Sequence, residues 1–582
     1  MNVDQIILQS VIAHRLDTIA QEMGAALERS SRSPIFAEAC DFACGVCDHK
    51  GELVSQLNGI PILAAAGSFS VQAVLEKYTG NIQEGDVFIV NDPYRGGNHL
   101  PDIGIITPVF YQGELVFFTV SRAHHGDIGG SVAGSYNTRA TEIFQEGIRI
   151  PPIKLAVKNS IIDEVLDLIT YNTRNPQMLK SDLYAQIGAN KIGQDRLRTL
   201  LDKYGLKKVK ESIIQLLQQA EDLTKAEISK FPAGSYTGEE WLDDDGFQET
   251  PVKIKAEVTY EVNQVTIDFT GSDKQVTGFV NSSLVTTKSA AYIALLWTLS
   301  PEIPRNSGAF RPIKIIAPPG TVVNPAESAP VTLSTLHCAS EIISAIFKAC
   351  AKAVPEKIPA GFGRYCGPSF YGIDPRNQKF YVGFAFCCLG SGGGKKEQDG
   401  FPYMAPISNY GGVRAPNNEA NEVQYPLLTL NHHLEVDTAG AGEYRGAPGI
   451  KYQVQFYGPD PSIVMFGDGM KIAPYGLGGG KEGSLNRNQL FTKESGNEWL
   501  KSKTAPRSLQ PGDILTLFSS GGGGWGNPFK RNPQLVYEDY KNGYISRESA
   551  LKEYGVVLTT KGIDWNETKK YRGIDYESRY NV

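Results

Sequence analysis

His99 and Asp102 close the run Asn91-Asp92-Pro93-Tyr94-Arg95-Gly96-Gly97-Asn98-His99-Leu100-Pro101-Asp102, and His124-His125-Gly126-Asp127 follows a short apolar stretch. Imidazole and carboxylate are borderline-to-hard ligands that suit Zn2+, Mn2+ or Fe2+. The chain has only eight histidines in 582 residues, so two beside acidic, Gly-rich turns form a pattern to explain. The competing reading makes His99 and His124 ordinary hydrogen-bonded or surface residues.

Gly96, Gly97 and Pro101 disfavour a helix, which places His99 in a loop feeding a strand from Asp102 to about Phe110. Tyr111-Gln112-Gly113 is expected to form a three-residue hairpin loop with Gly113 left-handed, and Leu115 to Arg122 to return antiparallel. That register pairs Phe110 with Glu114 and sets His124 opposite Leu100, on the face that carries Asp102. A two-residue loop would set it opposite Pro101, facing the other way. The hairpin is thus expected to gather His99, Asp102 and His124. Asp41, a carboxylate inside the Phe/Ala/Cys-rich stretch 36–42, needs a partner if buried and is a candidate fourth ligand or base.

Around this hairpin the sequence predicts an α+β, multidomain chain. Residues 1–230 read as a mixed α/β metal-site domain. Ile7, Val11, Ile12, Leu16, Ile19, Ala20, Met23 and Leu27 recur at helical spacing, Ala37 to Thr119 reads as short strands, and helices dominate Ser160 to Lys230. After a boundary near Phe231-Pro232-Ala233-Gly234, residues 231–526 form a larger strand-and-loop-rich α+β body, and 527–582 a C-terminal docking segment.

Composition narrows the function. A net charge of -6 gives no general attraction to nucleic acid, and no run of about 18 apolar residues predicts a membrane span. The N-terminus lacks the pattern of a secretory signal, so a cytoplasmic location is expected. Eight cysteines are too sparse for a disulfide scaffold, and Cys40, Cys44 and Cys47 read as buried structural residues rather than a metal cluster.

Several blocks resemble the hydantoinase B/oxoprolinase family over nearly the full length: 36–42, 85–94, 97–102, 123–130, 440–446 and 521–526. The resemblance implies a divalent metal, Zn2+ first with Mn2+ or Fe2+ as alternatives, held at His99, Asp102 and His124 with Asp41 as an additional ligand. It also implies a hydantoinase A-type partner that binds ATP and Mg2+ and phosphorylates a small cyclic amide, within a hetero-oligomer. The chain agrees with that division of labour, because Gly390-Ser391-Gly392-Gly393-Gly394-Lys395-Lys396 lacks phosphate-loop spacing and reads as a flexible glycine loop. Asp41 or Asp127 is the candidate proton acceptor for a metal-activated water, and His125 is either an outer partner of the metal or a hydrogen-bonded loop histidine. Length favours hydrolysis, with caprolactam or a similar lactam as the ring. The alternatives are the metal-site component of an ATP-dependent ketone carboxylase, a stand-alone metallohydrolase, and a non-catalytic scaffold for the ATP-binding partner.

Other residues invite a functional reading. His432-His433 with Glu435 reads as a strand end, and no base spacing makes His337-Cys338 a nucleophile. Arg364, Arg414 and Arg445 are either anion clamps or surface ion pairs, and Gly521 to Gly524 permits close backbone approach to a neighbouring strand or a partner subunit.

Overall fold

The structure, a computed structural model, describes residues 3–57 and 59–573. Its fold is α+β, with helices and several sheets. The first sheet collects β1 (Phe42–Asp48), β2 (Leu53–Gln56), β3 (Val87–Val90), β4 (Asp102–Tyr111), β5 (Glu114–His124), β6 (Ile153–Val157) and β7 (Ser160–Ile161) in the order β2-β1-β5-β4-β3-β6-β7. Every neighbouring pair in it is antiparallel.

One face of this sheet receives the Pro176–Tyr204 helix, which Asn175 caps through Met178 N and which ends at Gly205, φ 83°. Gln186, Asn190 and Gln194, one helical turn apart, donate their amides to carbonyls of β4 and β5, at Ile103, Ile105 and Pro108 among others. The Val3–Ser30 helix packs outside it, buried along Ile12, Leu16, Ile19, Ala20, Met23 and Leu27. Ile7 and Val11 continue the apolar stripe in sequence but are exposed.

The opposite face receives a helix at Pro61–Lys77, within the stretch expected to be all strands. Ile62, Leu63, Ala64, Ala65 and Ala66 are all buried. Over residues 62–71 the helix is buried nearly all round and has no polar face, so its sequence lacks the period that betrays a helix.

Helix gives way to strand between Ile228 and Gly234, where the boundary was expected. The apolar core nevertheless runs on without a break, from Ile12 and Leu16 through Val258 and Ile343 to Phe466. Beyond Phe231 lie β8 (Gly234–Leu242), β9 (Val252–Tyr260), β10 (Val265–Asp268) and β11 (Ile313–Ile316) in one sheet. Three more sheets follow, a four-stranded one that includes Cys366–Ile373 and Ser462–Gly467, a five-stranded one that includes Leu427–Leu434, and a two-stranded one of Leu558–Thr559 and Gly562–Ile563.

Gly521 to Gly524 threads through segments of the same chain. A Cβ on Gly522 would lie 2.0 Å from Gly392 O, and one on Gly523 2.0 Å from Tyr475 O. Gly522 N donates to Ala447 O at 2.9 Å and Gly523 N to Gly361 O at 2.8 Å. Backbone packs on backbone here with no room for side chains. Gly394 donates to Gly523 O at 2.9 Å, so the 390–396 segment is part of this packed region rather than the flexible loop expected from its composition.

After Asn527 come the helices Pro533–Lys541, Arg547–Lys552 and Trp565–Arg572, and the first two contribute to a small core of Ala441, Val536, Ile545, Ala550, Tyr554, Val556 and Leu558. The final residues of the expected docking segment, 574–582, lie outside the described residues. Among the described residues no helix is long and apolar enough to cross a membrane.

Candidate metal centre

The β4–β5 hairpin turns through two residues, Gln112 (φ 52°) and Gly113 (φ 80°), not the three expected. Two positive φ values in succession suit the right-handed twist of a tight hairpin. A bulge between Val109 and Phe110 then shifts the register by one, so that Asp102 stands directly opposite His124. The expected common face is therefore reached, by a two-residue loop plus a bulge. On the other side of β5, His124 N donates to Asp41 O at 3.0 Å, next to the Phe42–Ala123 pair. Asp41, just ahead of β1, thus forms a row with His124 of β5 and Asp102 of β4.

His99 reaches the row from the preceding loop. Asn91 pins that loop by donating to Leu100 O at 2.7 Å and accepting from Ile150 N at 2.7 Å. A Cβ on Gly97 would lie 2.3 Å from Asn91 O, so only glycine allows this close return.

His99 Nε2 lies 2.9 Å from Asp102 Oδ1, His124 Nδ1 lies 3.2 Å from the same oxygen, and the two ring nitrogens are 3.2 Å apart. All three residues are buried. Ligand atoms bound at about 2.0–2.1 Å around a tetrahedral cation stand about 3.3 Å apart, close to this triangle. His99 Nδ1 donates to Thr332 O at 2.5 Å, which turns the Nε2 lone pair inward. Asp102 Oδ2 is buried and has no hydrogen-bond partner among the described residues. Three electron-pair donors converge there, and the donor set and the orphaned oxygen fit a divalent cation.

Electrostatics agree. Burial disfavours a charged His99 ring, yet Asp102 and Thr332 O more than offset this and raise its pKa. Burial also opposes a charged Asp102, and the two histidines still hold its carboxyl well below the usual range. The site is built to keep negative charge on Asp102.

Asp41 and His124 line a cavity of about 20 Å³, together with Tyr136, Tyr365, Phe384 and Phe466. Tyr136 stacks on Phe466 at 4.0 Å and lies over His124 at 5.9 Å. Burial pushes the Asp41 carboxyl up to about 6, with His124 and His99 pulling it down and Asp102 pushing it up.

Asp127 has a different task from the one expected. Its carboxylate accepts from Gly134 N and Arg174 N and pairs with Arg174 Nη1 at 2.9 Å, so it holds the 127–134 turn and is spent before any water reaches it. His125 points to the other face, bonded to Gln186 at 3.0 Å and edge-on to Phe36. It is the hydrogen-bonded histidine of the two readings, and burial lowers its pKa to about 4.

Sequence reading missed Glu146, whose two oxygens accept from Thr332 N at 2.8 Å and Val331 N at 3.0 Å. It fixes the peptide that orients His99, from a segment without any motif. It missed Tyr136 for the same reason.

The remaining candidates resolve as structural groups. His432 bonds to Tyr403 and Asn418, and Cys338 is a deeply buried thiol whose pKa is raised by burial. All eight cysteines are free and buried. Arg414 forms an exposed pair with Glu28 at 3.1 Å. Arg364 and Arg445 belong to neither expected class, because they are buried and paired with Glu240 and Asp539.

A chain with this fold and a buried His-Asp-His site has clear relatives. The profile of the hydantoinase B/oxoprolinase family matches residues 4–528, and the chain belongs to that family. It is 33% identical over 569 residues to the beta subunit of the caprolactamase of Pseudomonas jessenii, covering 97% of this chain and 98% of that protein. It is 34% identical over 594 residues to the B-type subunit of a putative D-/L-hydantoinase of Pseudomonas sp. strain NS671, covering 98% of each. The crystal structure of the ATP-dependent caprolactamase from Pseudomonas jessenii superposes with a TM-score of 0.92 at 31% identity, over 99% of this chain and 100% of that one. A nucleotide-free acetone carboxylase structure superposes with a TM-score of 0.88 at 20% identity, over 97% of this chain and 82% of that one, a likeness of fold.

Proposed function

We propose that this chain is the metal-holding subunit of a two-component, ATP-dependent cyclic amide hydrolase. The observation that carries the reading is the buried triangle of His99 Nε2, Asp102 Oδ1 and His124 Nδ1 beside an unpartnered Asp102 Oδ2. The two Pseudomonas relatives match along nearly the whole chain, and both are named as subunits, which supports a partner.

His99, Asp102 and His124 would hold one divalent cation, Zn2+ before Mn2+ or Fe2+, with Asp41 as a further ligand or the base. A divalent cation, when bound, supplies Lewis acidity and brings the pKa of a water down toward about 7. Thr332 O keeps the His99 ring in the required tautomer. Tyr136, Phe384 and Phe466 keep bulk water from the cavity. Asp41, across from His124, takes the proton from the attacking water and returns it to the ring nitrogen.

The chemistry needs ATP because an unstrained amide ring gains little on opening. A hydantoinase A-type partner phosphorylates the amide oxygen. One water then adds to the activated carbon, the C–N bond breaks as nitrogen takes a proton, and an acyl phosphate remains. A second water releases phosphate and leaves the carboxylate. The likeness to acetone carboxylase extends to the fold and favours no carboxylation.

The test is metal content by mass spectrometry on the purified chain, beside His99→Ala and His124→Ala. About one metal ion per wild-type chain, lost in both variants, is expected. Equal metal in all three, or none in the wild type, would favour the scaffold reading.

A further inference from the structure

Apart from His124, the cavity beside the metal centre has three polar side chains open in its wall: Asp41, Tyr136 and Asn409. They come from distant parts of the chain. Asp41 stands just ahead of β1, and Tyr136 follows the turn that Asp127 holds through Gly134 N. Asn409 belongs to a turn that Arg414 N ties back to Ala39 O at 2.9 Å, beside Asp41. Most of the remaining wall is apolar, with Leu336, Phe386, Leu389 and Val413 in it. Tyr365 also lines the cavity, but its hydroxyl is sealed within the protein.

None of the three makes a side-chain hydrogen bond among the described residues, and none is sealed off as the Tyr365 hydroxyl is. Yet Asn409 is only 8% exposed and Tyr136 only 3%. Polar groups this deep normally find a partner, so the three together call for a small molecule that satisfies them. One water requires a space of about 10–15 Å³ and two to four polar partners. This cavity offers about 20 Å³ and three.

The partners also match the valence of water, which has two hydrogens and two lone pairs to place. The Asp41 carboxylate accepts one hydrogen and Asn409 Oδ1 the other. The Tyr136 hydroxyl, a phenol that keeps its proton at neutral pH, donates to one lone pair. The second lone pair stays free to attack.

We propose that Asn409 and Tyr136 are catalytic residues that hold the attacking water against Asp41. As the free lone pair forms the bond to the ring carbon, the O–H bond on the Asp41 side breaks and its proton passes to that carboxylate. Asn409 and Tyr136 fix which lone pair is presented, so the water is already aligned when the carbon arrives. The catalytic role rests on the proposed function; the water site does not.

A crystal structure of the full chain tests the site. An ordered water within about 3.2 Å of the Asp41 carboxylate, Tyr136 Oη and Asn409 Oδ1 is expected. Turnover of a cyclic amide by the complex reconstituted with the ATP-binding partner tests the role. Tyr136→Phe keeps the ring and its stack on Phe466, and Asn409→Leu keeps the shape of the side chain. Each should lower kcat about ten- to a hundredfold, with KM within about twofold and metal content unchanged. Because both residues hold one water, the double variant should retain at least about fivefold more activity than the product of the two losses predicts. ATP use persists, so more ATP is spent per ring opened. Fully independent losses, a change confined to KM, or no ordered water in the wild-type chain overturns the proposal. An ordered water in a complex that opens no ring sinks the proposed function, and with it the catalytic role, but not the water site.

Discussion

Two buried clusters in this chain contain the same kinds of residue and differ in one respect. His99, Asp102 and His124 form one, and His337, Glu341 and Asp468 the other, each with ligand atoms close enough to share an ion. In the second cluster the acceptors are already met. His337 donates to Tyr365 O at 2.7 Å and faces Glu341 Oε1 at 3.2 Å, while Glu341 Oε2 accepts from Cys338 N at 2.7 Å. Asp468 accepts from Asp243 N and Gly469 N, and Arg364 lies 3.3 Å from Glu341 and 3.1 Å from Glu240. In the first cluster Asp102 Oδ2 has no partner among the described residues, and the buried cation nearby, Arg122, spends its Nη1 on the Asp102 carbonyl. Ligand-type residues in proximity do not make a metal site. Lone pairs that the protein itself leaves unanswered are what favour an ion at the first cluster over the second.

The sharpest way to break this contrast is to remove one member from each cluster. His124→Ala should empty the first site and lower ring turnover in the complex reconstituted with the ATP-binding partner by about three orders of magnitude or more. Metal analysis alongside the turnover assay checks it, and a variant with full activity and normal ATP coupling would take His124 out of the chemistry. Arg364→Ala should leave metal content unchanged and lower stability by about 3–5 kcal/mol, because Glu240, Glu341 and Asp468 lose the cation they surround. Denaturant unfolding of the isolated chain measures it. Loss of metal on folding-competent Arg364→Ala would erase the distinction between the clusters.

The first cluster was legible in the sequence because hairpin residues alternate faces, so a turn and a count suffice to bring His124 to Asp102. The count was right in parity for the wrong reason. The bulge at Val109/Phe110 compensates a shorter loop, and bulges have no reliable sequence mark. The second cluster was illegible because His337 and Asp468 meet only through tertiary packing, and Arg364 read as an anion clamp or a surface ion pair. Asp127 was misjudged because its partner, Arg174, comes from a distant turn. The Pro61–Lys77 helix was hidden by the burial of nearly all of residues 62–71. Local periodicity and turn chemistry reveal what a segment does by itself, and not what arrives from elsewhere to satisfy it.

Glu146 tests how far support for the first cluster extends. Its carboxylate holds Val331 N and Thr332 N, and Thr332 O in turn holds His99 Nδ1. Glu146→Ala should weaken metal binding about 10- to 100-fold without touching a ligand. Competition with a chromogenic chelator measures that affinity. Unchanged affinity would mean that the triangle holds its shape without the Thr332 carbonyl.

Asp182 supplies the intermediate case, a buried carboxylate that faces neither a metal nor an arginine. Its Oδ1 accepts from Arg32 N at 3.1 Å and Ser33 N at 3.3 Å, and burial pushes its pKa up to about 6 although those amides pull it down. A carboxyl raised in the folded state binds more protons there than in the unfolded chain between its unfolded pKa of about 4 and about 6. Its contribution to stability is therefore favourable below that window and lost as pH rises through it, by at most about 3 kcal/mol. Asp182→Asn keeps the accepting oxygen and removes the charge, but it buries an N–H2 that lacks an assured partner, at about 1–3 kcal/mol. The variant should then be more stable than the wild type by about 1 kcal/mol at pH 7.5, and the advantage should vanish or reverse below pH 4. Unfolding curves of both proteins across that range decide it, because a stability difference that does not change with pH would mean that two backbone amides alone keep Asp182 charged as readily as water does.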